Sequence, residues 1–296
     1  MRRHRRAIND VFTQMLGLAR RAGLAQLGHV AIDSTRIGAN AARSSVVSAT
    51  QGERDQRAED RLKVRRFQQK AVIPDGDENG GVVLGQQQTE ALLEQLQPNT
   101  RLVPLPRPCR AQVSTTDPDS RFLRARDGWV LGYTADLAVS QDHFILATRV
   151  TQQATDNGSL VPMIEQVQRQ CQSLPEKVMA DSGFFSAKAL EFFHQHGIDG
   201  YLPDNNLKHE MDTGKPAAGL GRSPIRNPQH QRMREKLRSP HGASIYRKRQ
   251  ALVELVFGIL KQQRNLRRFQ RRGLHNVQTE WMLLPIAYNI ARLRNC

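Results

Sequence analysis

The chain has 296 residues, 39% of them apolar, with a net charge of +16 and a pI near 10.6. That length can bury a core as one large domain or two small ones, and that charge favours a polyanionic partner, either nucleic acid or an acidic membrane surface. No run of about 18 apolar residues predicts a membrane span, no Walker-type or Rossmann glycine pattern predicts a nucleotide cradle, and Cys109, Cys171 and Cys296 have neither CxxC nor zinc-ligand spacing, which suits a reducing cytosol.

The opening MRRHRR resembles the start of a signal peptide, but an amphipathic pattern carrying Asp10, Gln14 and Arg20 follows it, so no signal is expected. Residues 7–22 read as a helix with Val11, Met15 and Leu18 beside Phe12, Leu16 and Ala19, ended by Gly23. His29 to Thr35 reads as a short strand that points Val30 and Ile32 one way and Ala31 and Asp33 the other. An aspartate at a strand end is ordinarily a turn residue. Residues 44–112 are polar and mixed in charge, and read as an insertion or linker, partly disordered.

From Asp117 the pattern sharpens. DPDSRFLRARDG reads as polar turn. Trp129 to Val139 alternates, and His143 to Val150 follows as its hairpin partner. Ser159 to Cys171 is predicted helical, with Pro162 tolerated in the first turn. Glu176 to Asp181 is a strand ending in an acid. Ser186 caps a helix that Gly197 ends, closed by His194 and His196. Ile198 to Leu202 is a further strand. Residues 203–243 read as irregular, with Asp204, His209 and Asp212 solvated in a loop. Glu280 to Leu293 closes the chain as an apolar helix, with Trp281 and, earlier, Trp129 assigned to the core. Strands and helices in this order predict an α/β fold, a mixed sheet flanked by helices.

The stretch Tyr246 to Arg272 is the most informative. Leu252, Val253, Leu255, Val256, Phe257, Ile259 and Leu260 share one broad arc of a helical wheel, and Arg247, Glu254, Gly258 and Lys261 share the opposite side. A mid-helix glycine costs roughly 1 kcal/mol against alanine, and Gly258 leaves open space beside the Glu254 carboxylate. The helix is expected to continue past Lys261 into a basic run. Between Gly221 and Arg272 there are 15 Lys and Arg against Glu235 and Glu254, so this segment supplies +13. Such a concentration suits phosphate neutralisation with counterion release. The ordinary alternative for this helix is a solvated face with a Glu–Lys pattern.

Asp33, Asp181 and Glu254 are the acids placed to converge, two from strand ends and one from a helix face. Three clustered carboxylates repel one another unless a cation joins them, and hard oxygen ligands suit Mg²⁺ or Mn²⁺. A pair of such ions would serve phosphoryl transfer on DNA.

The motifs GHVAIDSTRIGANA, DPDSRF, GYTADLAV, ADSGFFS, TEWMLLPIAYNIARL and the long MREKLRSPHGASIYRKRQALVELVFGILKQQRNLRRFQRRG resemble those of bacterial insertion-sequence transposases of the DDE type, in the cluster holding groups four, five and eleven-eighty-two. The resemblance covers roughly 8–43 and 114–294. It implies a ribonuclease-H-like DDE catalytic domain in 29–43 and 113–296, a remnant N-terminal helical segment in 1–28 in place of most of the family's DNA-binding domain, and an insertion at 44–112. It implies Asp33, Asp181 and Glu254 as metal-binding catalytic acids. It places the family's Tyr-Arg-Glu-Lys signature on Tyr246, Arg249, Glu254 and Lys261. DNA contacts are expected from Tyr246, Arg247, Arg249, Lys261, Arg264, Arg267, Arg268, Arg271 and Arg272. Arg249 stands about 140° from Glu254 on the wheel. Asp136 replaces a usual glutamine, and Leu255 a frequent proline. The implied activity is cleavage at transposon ends and 3′-hydroxyl strand transfer by a dimer or higher multimer on DNA, in the bacterial cytoplasm. Two rivals remain: a truncated, catalytically incompetent regulator that binds transposon ends, and a nuclease of the same fold that hydrolyses without strand transfer.

Overall fold

A computed structural model describes residues 5–48, 112–125, 128–215 and 227–294. Contacts divide the chain into one unit of 1–46 with 114–296 and a second of 47–113. Of the second, the described residues hold only the ends, in two short strands that pair with each other, β2 (Val46–Ser48) and β3 (Gln112–Ser114). The rest of the expected insertion lies outside the described residues.

The first unit is organised on β1 (His29–Gly38). On one side β1 pairs antiparallel with β5 (Gly128–Ser140), a strand buried on both faces from Leu131 onward. The far edge of β5 carries β4 (Arg121–Ala125) and β6 (Ile145–Thr151), both antiparallel. On its other side β1 pairs parallel with β7 (Lys177–Ala180), which pairs parallel with β8 (Asp199–Tyr201). Gly132 is paired with Gly38 on one side and Arg121 on the other, and a Cβ there would overlap the Ile37 carbonyl oxygen. Only glycine lets β1 and β5 approach this closely.

Helix α1 (Arg5–Arg21) packs on both α2 (Leu160–Cys171) and α7 (Leu274–Arg294), and α2 and α7 also pack on β6. Helix α3 (Ala187–His196) starts at the Ser186 cap and stops at Gly197, as its cap residues predict. Helix α6 (Pro240–Gly258) lies across β1, β5, β7 and β8. This mixed sheet, antiparallel at one side, parallel at the other and flanked by helices, is an α/β fold of the ribonuclease-H-like kind.

Helix α7 also manages an exposed edge. Asn289, fully buried, accepts from the Ile145 N–H at 2.9 Å and donates to the Ile145 carbonyl at 2.8 Å. Gln278 donates to the Val150 carbonyl at 3.1 Å. Side-chain amides thus stand where a further strand's backbone would pair with β6.

Several expectations need correction. Residues 203–243 are not irregular: α4 (Asn205–Thr213) and α5 (Pro228–Arg238) lie there, and α6 already begins at Pro240. Their signals are capping residues, Asp204, Asn227 before Pro228, and Ser239 before Pro240, each accepting from backbone N–H groups of its helix. Asp204 is therefore a buried cap, paired with His230 at 2.8 Å, and not a solvated loop residue. DPDSRF runs into a strand, β4, whose approach is fixed by buried Asp117 accepting from the Tyr133 hydroxyl at 2.8 Å. Trp129 is 57% exposed while Trp281 is buried. In α1 the buried stripe is Phe12, Met15, Leu16 and Ala19, with Val11 and Leu18 outside it.

The main correction concerns the opening of the basic run. After Gly258 the helix widens into a π turn (Ile259–Gln263) and then stops. Asn265 takes a left-handed conformation (φ 50°), which breaks the helix. The chain then turns back onto β1: the Gly38 N–H donates to the Arg267 carbonyl at 3.1 Å and the Phe269 N–H to the Gly38 carbonyl at 2.8 Å. Leu266 and Phe269 are the buried anchors, Phe269 edge-on to both Tyr133 and Trp281. Two apolar side chains and a backbone pairing outweigh helix propensity here.

Candidate functional site

Strand register explains why two aspartates meet. Ile32 of β1 pairs in parallel with Ala180 of β7, the last residue of that strand. The next residue of each chain segment is an acid, Asp33 and Asp181. Two neighbouring parallel strands thus present carboxylates at the same level, Asp181 just past the end of β7 and Asp33 in the middle of β1, which runs on to Gly38 and does not end near Thr35 as expected.

Helix α6 supplies the cation between them. Its buried stripe is Ile245, Tyr246, Arg249, Leu252, Val253 and Val256, spaced three and four apart. Arg249 is 6% exposed, with Nη1 3.0 Å from Asp33 Oδ2 and Nη2 3.9 Å from Asp181 Oδ1. The Tyr246 hydroxyl donates to Asp181 Oδ1 at 3.4 Å, and the Ser34 N–H to Asp33 Oδ1 at 2.8 Å. Burial pushes the Asp33 carboxyl above the usual carboxylate range, against the pull of Arg249 and the Ser34 N–H, while Asp181 and Asp156 push the same way as burial. Burial also lowers Lys261, and Asp33 opposes that shift, which places a second cation within electrostatic reach of Asp33. Burial raises the Tyr246 hydroxyl, so it keeps its proton and donates a hydrogen bond to Asp181.

Glu254 and Arg249 occupy different sides of α6, as their angular separation predicts. Glu254 is exposed, as is Leu255 at 47%, which removes Leu255 from the expected apolar arc. A Cβ at Gly258, one turn on, would meet nothing within 4 Å, so that side is open. Among the described residues no three His, Cys, Asp or Glu side chains gather around one point. The Asp33–Asp181 pair has the hard oxygen donors that Mg²⁺ or Mn²⁺ takes, and Arg249 offsets part of its charge. Glu254 stands apart from that pair.

The other cations divide into two groups. Arg268 donates to the Ala39 and Ala41 carbonyls at 2.7 and 2.9 Å, and Arg272 to the Asn40 carbonyl at 2.9 Å. These clip the basic run to the end of β1. Arg264 makes a long 3.4 Å contact to the Ala287 carbonyl. Arg247, Arg267 and Arg271 are exposed.

Sequence reasoning gave no role to three neighbours. Arg36, on β1, pairs with Asp156 at 3.1 Å and donates to the Ser34 hydroxyl at 3.2 Å. Asp156 sits in a Thr-Asp-Asn-Gly turn that carries no signal of its own. Beside them a cavity of about 600 Å³, lined by Arg36, Asp156, Gly183, Phe185, His230 and Arg234, opens next to the turn after Asp181. Asp136, opposite Ser34 in register, is fully buried with neither carboxylate oxygen hydrogen-bonded. Burial, and then the charge of Asp156, push it up to about 7, against Arg149 and Arg36. Its signal was present: an acid in the middle of a strand buried on both faces.

The sequence pattern of the family described as "Transposase DDE domain" matches residues 110–290, a span that holds Asp136, Asp181 and Glu254. No curated protein and no solved structure gives a match.

Proposed function

The chain belongs to the DDE transposase family, and from that premise we propose that it cleaves DNA at transposon ends and joins the freed 3′-hydroxyl to target DNA, with Asp33, Asp181 and Glu254 as its catalytic acids. The observation that carries this reading is the pair of carboxylates from neighbouring parallel strands converging on one buried guanidinium. Two acids in this position attract positive charge, and Arg249 supplies one such charge.

Asp33 and Asp181 would hold the divalent ions, Mg²⁺ or Mn²⁺, with Glu254 as third donor. Such ions supply charge that activates a nucleophile and stabilises the leaving oxygen. In cleavage, the water oxygen bonds to phosphorus, the P–O3′ bond breaks, and the water's proton ends on the departing 3′-oxygen. In transfer, that 3′-oxygen bonds to a target phosphorus, the target's own P–O3′ bond breaks, and the hydroxyl's proton ends on the target's departing 3′-oxygen. Tyr246 orients Asp181 through its hydroxyl. Arg249 screens the two acids from each other. Lys261, close to Asp33, would meet the phosphate nearest the acids, and the exposed Arg247, Arg267 and Arg271 would follow the backbone beyond it. Two ends must be brought together for joining, so the active form is expected to be a dimer or larger, working on DNA in the bacterial cytoplasm.

The separation of Glu254 from the aspartate pair favours one second reading, a regulator that occupies transposon ends without cutting. Nicking of supercoiled plasmid carrying the element's ends, with Mn²⁺ or Mg²⁺, beside Asp181→Ala, decides between them. Metal-dependent nicking lost in the variant supports the enzyme. No nicking by either protein, with salt-sensitive DNA binding intact, overturns it in favour of the regulator.

A further inference from the structure

Strand pairing holds β7 only as far as Ala180, its last residue. Asp181 and the turn after it, Ser182–Phe184, lie beyond the sheet. The turn closes on its own backbone, with the Phe184 N–H donating to the Asp181 carbonyl at 3.0 Å, and Phe184 is fully buried. Its middle residue, Gly183, meets a side chain from another part of the chain. A Cβ on Gly183 would stand 3.1 Å from Asp156 Oδ2 and 3.6 Å from Asp156 Cβ, so the Asp156 side chain lies against the open side of the glycine.

The other carboxylate oxygen of Asp156 is tied to β1. Arg36 Nη1 donates to Asp156 Oδ1 at 3.1 Å and to the Ser34 hydroxyl at 3.2 Å, and Arg36 Nη2 donates to the Ala154 carbonyl at 3.1 Å. Both ionic side chains are mostly buried, Arg36 14% and Asp156 19% exposed. A guanidinium presents its donors in a rigid planar fork, so these bonds fix the Ala154–Asp156 segment against the strand that carries Asp33. One carboxylate thus touches both an arginine of the Asp33 strand and the turn that follows Asp181. It also lies within electrostatic reach of Asp33, whose carboxyl it pushes up.

We propose that Asp156 and Arg36 are positioning residues for the catalytic acids: Arg36 anchors Asp156 to β1, and Asp156 holds the Gly183 turn so that Asp181 keeps its place beside Asp33. This role rests on the reading of Asp33 and Asp181 as acids that take a divalent ion. Residues that orient metal ligands change metal affinity about 10- to 100-fold when mutated.

The test uses the full chain and two readouts: the Mn²⁺ concentration that gives half of the metal-induced rise in melting temperature, and the one that gives half-maximal plasmid nicking. Asp156→Ala removes the contact. Gly183→Ala pushes on it from the other side, at an exposed position outside the left-handed region. Asp156→Asn keeps the size and an acceptor for Arg36 without the charge. Both alanine variants are expected to raise both half-points about tenfold, with Asp156→Asn staying nearer to wild type than to Asp156→Ala. A lower metal-free melting temperature with unchanged half-points overturns the proposal, leaving an ion pair that only stabilises the fold. Half-points raised as far by Asp156→Asn as by Asp156→Ala also overturn it, since charge and not placement then matters. Should Asp156→Ala fail to fold, Gly183→Ala decides: a raised half-point supports the role and an unchanged one overturns it. A wild-type protein with neither a Mn²⁺ response nor nicking fails the transposase reading and takes this role with it, a result distinct from a normal response that the variants leave unchanged.

Discussion

Two regions of this protein handle positive charge in opposite ways. Where β1 and β7 run side by side, acids are in excess and Arg249 is already engaged by them. On β6 and α7, Arg149 Nη1 and Trp281 Nε1 are buried with no hydrogen-bond partner among the described residues. A charge count over the sequence treats these arginines alike. What distinguishes them is whether an acceptor is built in. The same division runs through the basic segment, where Arg268 and Arg272 hold backbone carbonyls and Arg267 and Arg271 face solvent.

The sharpest way to break the contrast is at the acids. Asp33→Ala and Asp181→Ala are each expected to lower metal-dependent nicking at least a hundredfold, since even a residue hydrogen-bonded to a metal ligand costs about 10- to 100-fold when mutated. DNA binding, measured by gel shift, should survive in both. Next comes Phe269→Ala, which removes the anchor between Tyr133 and Trp281 and should cost about 3–5 kcal/mol in denaturant unfolding. Loss below 1 kcal/mol would show that carbonyl clips alone hold the basic run to β1.

Arg249→Ala leaves two carboxylates facing each other. Breaking a fully buried pair costs about 3–5 kcal/mol; with Asp33 a quarter exposed the expected loss is roughly 2–3 kcal/mol. Millimolar Mn²⁺ should restore part of it. A variant whose melting temperature ignores Mn²⁺ would mean that the acids take no ion in its absence.

Asp136 gives a pH test. Its folded value near 7 lies above the ordinary 3.8, so its protonated form stabilises the fold fully below about pH 4, and that contribution is lost as pH rises through 7. Asp136→Asn keeps the neutral shape at every pH. It should gain on wild type by on the order of 1.4 kcal/mol for each pH step of one between those two values, seen as a stability difference that widens from pH 4 to pH 8. A pH-independent difference would mean that the carboxyl is paired. The smallest effects concern the exposed cations: Arg271→Gln should lower the salt slope of DNA binding by about 0.9, and Arg268→Gln by less.

Much of this was legible in the sequence. Alternation identified β1, β5 and β6, and cap residues fixed α3. Asp33 and Asp181 stand out because each follows a short apolar run. What was not legible depends on non-local pairing. Nothing local in RNLRRFQRRG says that it folds back on Gly38, because Leu266 and Phe269 act only once β5 and α7 are in place. Arg249 reads as one of several surface cations until β1 supplies Asp33, 216 residues earlier. The caps before α4, α5 and α6 were present, but a strongly polar composition hid helices whose buried faces hold as few as one or two residues, Leu207 in α4 and Met233 with Leu237 in α5.

Asn289 has a consequence for the behaviour of the protein in solution. A single amide answers both the donor and the acceptor of Ile145 on an outermost strand. Replacing it with alanine would turn that strand into a template seeking a second strand, and self-association visible by light scattering should follow before any loss of secondary structure. Asn289, with Gln278 further along, therefore occupies an edge on which a second copy of the chain could otherwise pair.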